Sequence, residues 1–400
     1  MPLPDAIRKS PIVFLTGAGA SVPLGLPATA GFLARFVEAM PRRLAGATPE
    51  LWRFASERLT QRQPGDIEVV LQELEAVETW AKQFGADFSF AQSAADFFRP
   101  TLSASADVAD VAVSGLADQL SRDLQAMCTT FASWSRRVAD AIYDEVIECY
   151  GSVAPTAAAD LYRGLLGVMD QFEAVAPLRT VPLFTLNYDI AVEQAVDGLG
   201  LGIVDGFVGG AVGRRWTPRA YHDYNEKPDV ITVVLVKLHG SVRLGRTEGG
   251  ALIELPAGTY RDPPPHRHAV LYPSLGPKSL DEEPYRANYS MLRACLMHAR
   301  LFVVIGSTLR DTELNVLIRG CLEENEQLYL VVLGPEANSA DTAQRIGCER
   351  TRVGGAVGCF DVEDPDVLKF GRGRILNALR RWWMSRGGGG PHTYGADHEL

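Results

Sequence analysis

The stretch IVFLTGAGAS, residues 12–21, decides the fold. It opens with a short, continuous apolar run, which is typical of a strand buried on both faces of a parallel sheet. The glycines that follow allow a sharp turn and a close approach of the backbone to a ligand. Because a helical pattern continues from about Thr29 to Met40, the stretch predicts strand, turn and helix, the order found in a doubly wound α/β domain.

Further apolar runs predict more strands of the same sheet: Val181–Leu186, Val230–Leu238, Leu301–Ile305 and Leu328–Leu333. Polar segments follow three of them, namely Asn187-Tyr188-Asp189, His239-Gly240-Ser241 and Gly306-Ser307-Thr308. The carboxyl ends of parallel strands open onto one crevice. We therefore expect these segments and the Gly17 turn to converge on a single ligand.

The remaining segments predict how the domains are arranged. Helical apolar spacing at residues 67, 70, 71 and 74, after a candidate N-cap at Asp66, and at residues 138, 142, 146 and 149 indicates a change to long helices. We predict an α/β core over residues 1–50 and 175–385, a helical insertion module over 51–174 and a disordered tail over 386–400. The aperiodic segments 205–227 and 256–285 are predicted to be ordered loops.

Composition excludes several classes of protein. Lys and Arg number 39 against 49 Asp and Glu, a net charge of −10, which argues against a general nucleic-acid-binding surface. The 6 cysteines include no Cys-x-x-Cys pair, so neither a zinc site nor a disulfide framework is expected. No signal peptide and no apolar run of roughly 18 residues is present. We expect a cytoplasmic protein that binds neither metal nor membrane.

Four motifs, taken in order, resemble the sirtuin superfamily: Gly-Ala-Gly-Ala-Ser from Gly17, Thr-x-Asn-x-Asp from Thr185, Leu-His-Gly-Ser from Leu238 and Gly-Ser-Thr-Leu from Gly306. Asn-Tyr-Asp with Glu193, Asp66-Ile67-Glu68, Asp205-Gly206-Phe207 and residues 273–278 resemble its bacterial sirtuin-like branch, whose members are NAD hydrolases of antiphage defence. The resemblance covers about residues 10–60 and 175–335. It implies a Rossmann-like parallel sheet and NAD as the substrate.

The resemblance also implies a role for each residue of the motifs. Gly17, Ala18, Gly19 and Ser21 are implied to cradle the pyrophosphate of NAD, and Gly306, Ser307 and Thr308 to contact phosphate or the adenosine ribose. Asn187 is implied to hold the nicotinamide ribose or the attacking water, and Asp189 to face the nicotinamide carboxamide. His239 is implied to be the general base.

The paired zinc cysteines of deacylase sirtuins are absent here, which favours water as the nucleophile. The resemblance thus implies an NAD⁺ glycohydrolase that releases nicotinamide and ADP-ribose, is kept silent until activated, and depletes NAD in abortive infection. It further implies a homo-oligomer and an operon-encoded partner, either a translocase-type ATPase or an Argonaute-like protein. Two alternatives stay open: a catalytically silent NAD- or ADP-ribose-binding scaffold subunit, and, less favoured, a protein deacylase or ADP-ribosyltransferase.

Some side chains near these motifs have a plain structural interpretation. Glu193 is as well explained by a structural pair as by a function. Asp311 and Glu313 are expected to complement the N-terminus of a helix. His266 and His268 are expected to lie in a solvated loop.

Overall fold

The computed structural model describes residues 3–60, 67–86, 108–151, 153–171, 179–210, 213–227, 229–247, 249–255, 267–270, 283–333, 339–348 and 353–356. These residues form two compact units. The helical unit is Thr29–Glu148, and the α/β unit comprises the described residues up to Ala28 and from Cys149 onward.

The strands, in chain order, are β1 (Ile12–Thr16), β2 (Thr180–Thr185), β3 (Gly202–Val204), β4 (Phe207–Gly210), β5 (Gly213–Trp216), β6 (Thr232–Lys237), β7 (Gly240–Arg246), β8 (Leu252–Glu254), β9 (Arg267–Val270), β10 (Leu301–Ile305), β11 (Tyr329–Leu333) and β12 (Val353–Ala356). The helices are α1 (Asp5–Arg8), α2 (Thr29–Arg43), α3 (Pro49–Thr60), α4 (Ile67–Ala86), α5 (Val108–Tyr150), α6 (Pro155–Gln171), α7 (Ala191–Gly198), α8 (Arg219–His222), α9 (Tyr285–Leu296), α10 (Thr312–Glu324) and α11 (Ser339–Ile346).

A seven-stranded sheet in the order β12-β11-β10-β1-β2-β6-β3 is the centre of the α/β unit, and every pair in it is parallel. All residues of β1, β2 and β10 are buried, so both faces of the sheet are covered. One face packs on α9 and α10, where Leu292 and Ile318 join strand residues such as Val13 in a common core. The predicted α/β fold with a parallel sheet is confirmed, and each of the five predicted strands is found within two residues of its expected ends.

A second, antiparallel sheet has the order β4-β5-β8-β7-β9. The prediction of an ordered loop over residues 205–227 is wrong, because this segment contains β4, β5 and α8. Strands β4 and β5 are each only four residues long, and β5 is largely exposed or half exposed, so they lack the continuous apolar run that reveals a buried strand.

The helical unit contains α2, α3, α4 and most of α5 in the part of the chain described. The predicted apolar faces are buried, with Val70, Leu74, Val138 and Ile142 each at most 1% exposed. The module predicted at 51–174 differs from this unit in its bounds. The unit starts at Thr29, and α6 belongs to the α/β unit, where Gly198 at the end of α7 packs closely on Ala159 of α6.

Several predictions concern residues outside the described ranges: the N-cap at Asp66, residues 273–278, His266 and the tail at 386–400. Within the described ranges, none of the helices combines the length and the apolar character that crossing a membrane requires.

Candidate functional site

The four predicted polar segments leave the same edge of the parallel sheet. Thr16 is the register partner of both Ile305 and Thr185, and Thr185 is the partner of Lys237. The chain adds β2 and β6 on one side of β1 and later β10, β11 and β12 on the other. Open α/β sheets bind ligands where the strand order reverses in this way. The Gly17 turn therefore lies at the expected ligand-binding position.

The Gly17 turn packs directly on the loop after β10. Gly17 donates its backbone N–H to the carbonyl of Ile305 at 2.8 Å, and Gly19 donates to the carbonyl of Gly306, also at 2.8 Å. A Cβ atom on Gly17 would lie 2.7 Å from Cβ of Ser307, and one on Gly306 would lie 2.2 Å from the amide nitrogen of Ala20. Gly306 also has a φ of +64°, which favours glycine. The contact between the two loops thus requires glycines, whatever the ligand.

Asn187 is fixed by this turn. Its Nδ2 donates to the carbonyl of Gly17 at 3.0 Å and to Oγ of Ser21 at 2.9 Å. Ser21 in turn donates its hydroxyl to Oδ2 of Asp189 at 2.7 Å. All three side chains are buried, with Asn187 only 7% exposed. Because both amide protons are used, the carboxamide oxygen Oδ1 is the atom through which Asn187 can accept a hydrogen bond from a ligand or a water.

Asp189 anchors the start of the following helix as well. Its Oδ1 accepts a hydrogen bond from the backbone N–H of Ala191, the first residue of α7. Tyr162 of α6 lies close to Asp189, Thr16 and Ser21, and burial raises the pKa of its phenol above the ordinary range. The predicted residues Asn187, Asp189, Ser21 and Gly17 are therefore brought together in one hydrogen-bonded group.

His239 is held by residues of two helices. Its Nε2 lies 2.9 Å from Oδ2 of Asp311 and 3.3 Å from the hydroxyl of Tyr289. Tyr289 donates its hydroxyl to the same Oδ2 at 3.3 Å, and its pKa is raised by burial and by Asp311, so it stays protonated. A carboxylate only accepts hydrogen bonds, so Nε2 carries the proton and Nδ1 is the basic nitrogen of the ring.

Ser307 and Thr308 lie in the loop that follows β10, at the same edge of the sheet. The hydroxyl oxygen of Ser307 accepts a hydrogen bond from the backbone N–H of Leu309 at 3.2 Å. Thr308 is exposed, and its carbonyl accepts a hydrogen bond from Arg345. Neither side chain is buried, so both are accessible to a ligand bound at this edge.

Asp311 and Tyr289 contact His239 although no sequence motif assigned them to the site. Asp311 does cap α10, as expected, since its Oδ1 accepts from the backbone N–H of Leu314 at 3.1 Å. The sequence pattern predicts only that Asp311 caps the helix. It carries no sign that the other oxygen of the same carboxylate contacts His239, which is distant in the chain. Tyr289 lies in the middle of α9, and nothing in its local pattern separates it from a core residue.

A cleft in the α/β unit adjoins the predicted site, because Gly240 and Ser241 of the segment that begins at His239 line it. It lies between the end of β6 and the antiparallel sheet, and Glu193, Lys237 and Asn288 are among its lining residues. Glu193 pairs with Lys237, with Oε1 and Nζ at 2.9 Å.

Comparisons with known proteins identify one family and several solved structures to which this chain is similar. Residues 182–350 match the family model described as "SIR2-like domain". No curated protein matches the chain. Among solved structures, the chain is similar to a Sir2 homologue in complex with NAD, at 12% identity and a TM-score of 0.35 over 96% of this chain and 93% of that one.

Two Sir2 homologue mutants in complex with ADP-ribose give similar values. One is 13% identical with a TM-score of 0.36, the other 12% identical with a TM-score of 0.37, and each match covers 96% of this chain and 95% of the other. The segment of residues 182–350 is similar to SIR2-like domains, and it contains Asn187, His239 and Asp311.

Proposed function

We propose that this chain is an NAD⁺ glycohydrolase that splits the bond between nicotinamide and ribose. The observation that carries the proposal is the pair Asn187 and His239 at the ends of adjacent strands, each fixed by hydrogen bonds to buried neighbours. The match of residues 182–350 to SIR2-like domains supports an NAD-related activity.

The chemistry of these side chains suits the reaction. Nicotinamide in NAD⁺ is already a cationic leaving group, so it departs with the electron pair of the C–N bond and needs no proton. The ribose carbon then develops charge as in glycoside hydrolysis. The protein has to orient a water and accept its proton. Oδ1 of Asn187 is an uncharged acceptor that can orient a water or a ribose hydroxyl without a net charge.

His239 supplies the base. The oxygen of the water bonds to the ribose carbon as the C–N bond breaks, and the proton of the water passes to Nδ1 of His239. General-base catalysis of this kind is typically worth about 10²- to 10⁴-fold in rate. Asp311 stabilises the imidazolium that results, because its carboxylate already accepts the Nε2 proton.

The proposal is tested by nicotinamide release from NAD. We expect Asn187→Ala and His239→Ala to lower the rate by about 100-fold or more. Matched controls are Asn225→Ala and His298→Ala, the same changes at exposed positions of the α/β unit, which should leave the rate unchanged. Full activity in both site variants, with wild-type thermal unfolding, would falsify the assignment.

The regulated role belongs to the same proposal. An unregulated NAD hydrolase drains the NAD of its own cell, so we propose a cytoplasmic effector of antiphage defence that self-associates and is activated by an operon-encoded ATPase or Argonaute-like partner. The assay is therefore run with and without the products of neighbouring genes. A scaffold that only binds NAD would bind it under both conditions and release nicotinamide under neither.

A further inference from the structure

Lys237 is the last residue of β6, two positions before His239, and only 12% of its side chain is exposed. Its ammonium group has two partners. Nζ donates a hydrogen bond to the backbone carbonyl of Asp189, and it lies 2.9 Å from Oε1 of Glu193 in α7. A buried ammonium loses its hydration, and these two contacts offset that cost. The position of the ammonium group is therefore fixed from two sides.

The carbonyl of Asp189 belongs to the loop that carries Asn187, residues 186–190, between the end of β2 and the start of α7. Ile190 is the N-cap of α7, so Asp189 lies outside the hydrogen bonding of the helix. Asp189 is also buried, at 3% exposure. A buried backbone carbonyl needs a hydrogen-bond donor. Lys237 supplies the donor that this carbonyl needs.

The preceding carbonyl of the same loop is held from the other side of His239. The backbone N–H of Val242, in β7, donates to the carbonyl of Tyr188 at 3.0 Å. Two successive carbonyls of the loop are thus bound by residues that flank His239 in the chain, Lys237 before it and Val242 after it. These bonds connect the loop of Asn187 to the segment of His239.

We propose that Lys237 is a positioning residue of the candidate site, which holds the loop of Asn187 in place relative to His239 through the carbonyl of Asp189. This inference rests on the function proposed above for Asn187 and His239. A displacement of about 1 Å at a catalytic group can cost about 100-fold in rate. The bond from Val242 comes from a backbone amide and survives substitution of side chains, whereas the bond from Lys237 can be removed.

Glu193 provides a simpler explanation, which the experiment has to separate from positioning. If Lys237 were only the counter-ion of this carboxylate, Lys237→Met would act by leaving a buried charge unpaired, which is strongly destabilising. The double variant Lys237→Met/Glu193→Gln removes the charge together with its partner. In that variant the carbonyl of Asp189 still lacks its donor. Glu193→Gln alone keeps the bond from Lys237 to Asp189 and is therefore the reference for the double variant.

Hydrogen exchange of the full chain, followed by mass spectrometry, tests the position of the loop in the absence of NAD. We expect peptides that cover residues 186–191 to exchange faster in the double variant than in Glu193→Gln, because the loop has lost one of its anchors. Lys227→Met, at an exposed lysine of the α/β unit, is the matched control and should exchange like wild type. Equal exchange of this loop in the double variant and in Glu193→Gln overturns the proposal.

Nicotinamide release from NAD tests the consequence for catalysis. We expect kcat and kcat/KM of the double variant to fall together, by about 10-fold or more relative to Glu193→Gln. Glu193→Gln and Lys227→Met should keep the wild-type values. Because the double variant carries no unpaired buried charge, the comparison stays informative even where Lys237→Met alone unfolds. A double variant as active as Glu193→Gln would assign Lys237 to charge pairing alone and overturn the proposal.

The two measurements also separate this proposal from the proposed function. A wild-type chain that releases no nicotinamide under any condition contradicts the NAD hydrolase, and faster exchange in the double variant would then still show that Lys237 holds the loop. Nicotinamide release by the wild type, with exchange and kcat unchanged in the double variant, contradicts the role of Lys237 and leaves the hydrolase standing.

Discussion

Nε2 of His239 lies 2.9 Å from Oδ2 of Asp311, although 72 residues separate the two in the chain. The same carboxylate caps α10 through its other oxygen. The hydrogen bond that caps α10 therefore fixes the position of the Asp311 carboxylate, and this carboxylate in turn orients the imidazole of His239.

Asp311→Asn tests this coupling. The variant keeps an oxygen for the cap but loses the charge that fixes the imidazole tautomer, so we expect nicotinamide release to fall about 100-fold or more. The acid limb of the pH–rate profile should also move to lower pH, because the imidazolium loses its neighbouring carboxylate. A purely structural role would leave that limb in place. Asp223→Asn, at an exposed aspartate, is the control.

Gly306→Ala tests the contact between the two loops. A Cβ at this position would meet the amide of Ala20 at 2.2 Å, and φ is +64°. We expect a loss of about 2 kcal/mol or more in the free energy of unfolding, measured with guanidinium chloride. Gly25→Ala separates the two causes, since Gly25 has a φ of +77° but open space around it, and it should cost only about 1 kcal/mol. Equal losses in both variants would show that the close approach is not strained.

Glu145→Gln tests the ion-pair cluster of the helical unit. Glu145 is 1% exposed, and its carboxylate contacts Arg35, Arg42 and Arg43. We expect the free energy of unfolding to fall by about 2 kcal/mol. The loss is smaller than for an ion pair in which both partners are buried, because Arg35 and Arg42 are half exposed. Glu148→Gln removes a carboxylate that is itself exposed and should cost about 1 kcal/mol or less. Urea unfolding followed by far-ultraviolet circular dichroism measures both, and a larger loss in Glu148→Gln would contradict this ranking.

Cysteine labelling tests the core of the α/β unit. Burial raises the pKa of Cys295 from 9.0 to about 12 and that of Cys321 to about 11, and only the thiolate is reactive. Among the cysteines of the described residues, we expect the half-buried Cys348 to be alkylated first by iodoacetamide at neutral pH, and Cys295 only when the unit unfolds. Mass spectrometry of timed samples shows the order. Early modification of Cys295 under native conditions would contradict its burial.

The pH dependence of stability tests Glu193. Burial raises its pKa, and the nearby Lys237 only partly opposes this shift. A raised pKa in the folded state means that stability is fully present below the ordinary Glu pKa and is lost as pH rises through the folded-state value. As pH rises from the ordinary Glu pKa through the raised pKa of Glu193, we therefore expect the unfolding temperature of the wild type to fall relative to that of Glu193→Gln. Parallel curves for the two proteins would show that the carboxylate is not desolvated.

The sequence predicted those features that depend on local pattern. The apolar runs identified β1, β2, β6, β10 and β11, because strands buried on both faces need continuous apolar residues. The polar segments at their ends pointed to Asn187 and His239 together. The prediction that these polar segments lie close together needed only the topology, because parallel strands end at the same edge of a sheet.

Other features depend on long-range contacts that no local pattern records. Strands β4 and β5 of the antiparallel sheet are short and of mixed polarity, as in β5 with its two arginines, and their sequence resembles that of a loop. Asp311 and Tyr289 join the site only through their side-chain contacts with His239, which lies 72 and 50 residues away in the chain. The sequence explains Glu193 equally well by a structural pair and by a function, and only the structure shows that one of its oxygens pairs with Lys237 while the other is buried without a hydrogen-bond partner among the described residues.

The neighbours β1 and β2 are separated by the whole helical unit, and the hydroxyls of Thr16 and Thr185 meet at 2.8 Å across 169 residues of chain. Pairings of such high contact order form late, because a long loop must close first. During synthesis, a nascent chain that has passed His239 still lacks β10 and Asp311. On the function proposed above, such a chain lacks the carboxylate that holds the imidazole of His239 and is expected to release no nicotinamide until β10 and Asp311 have been added.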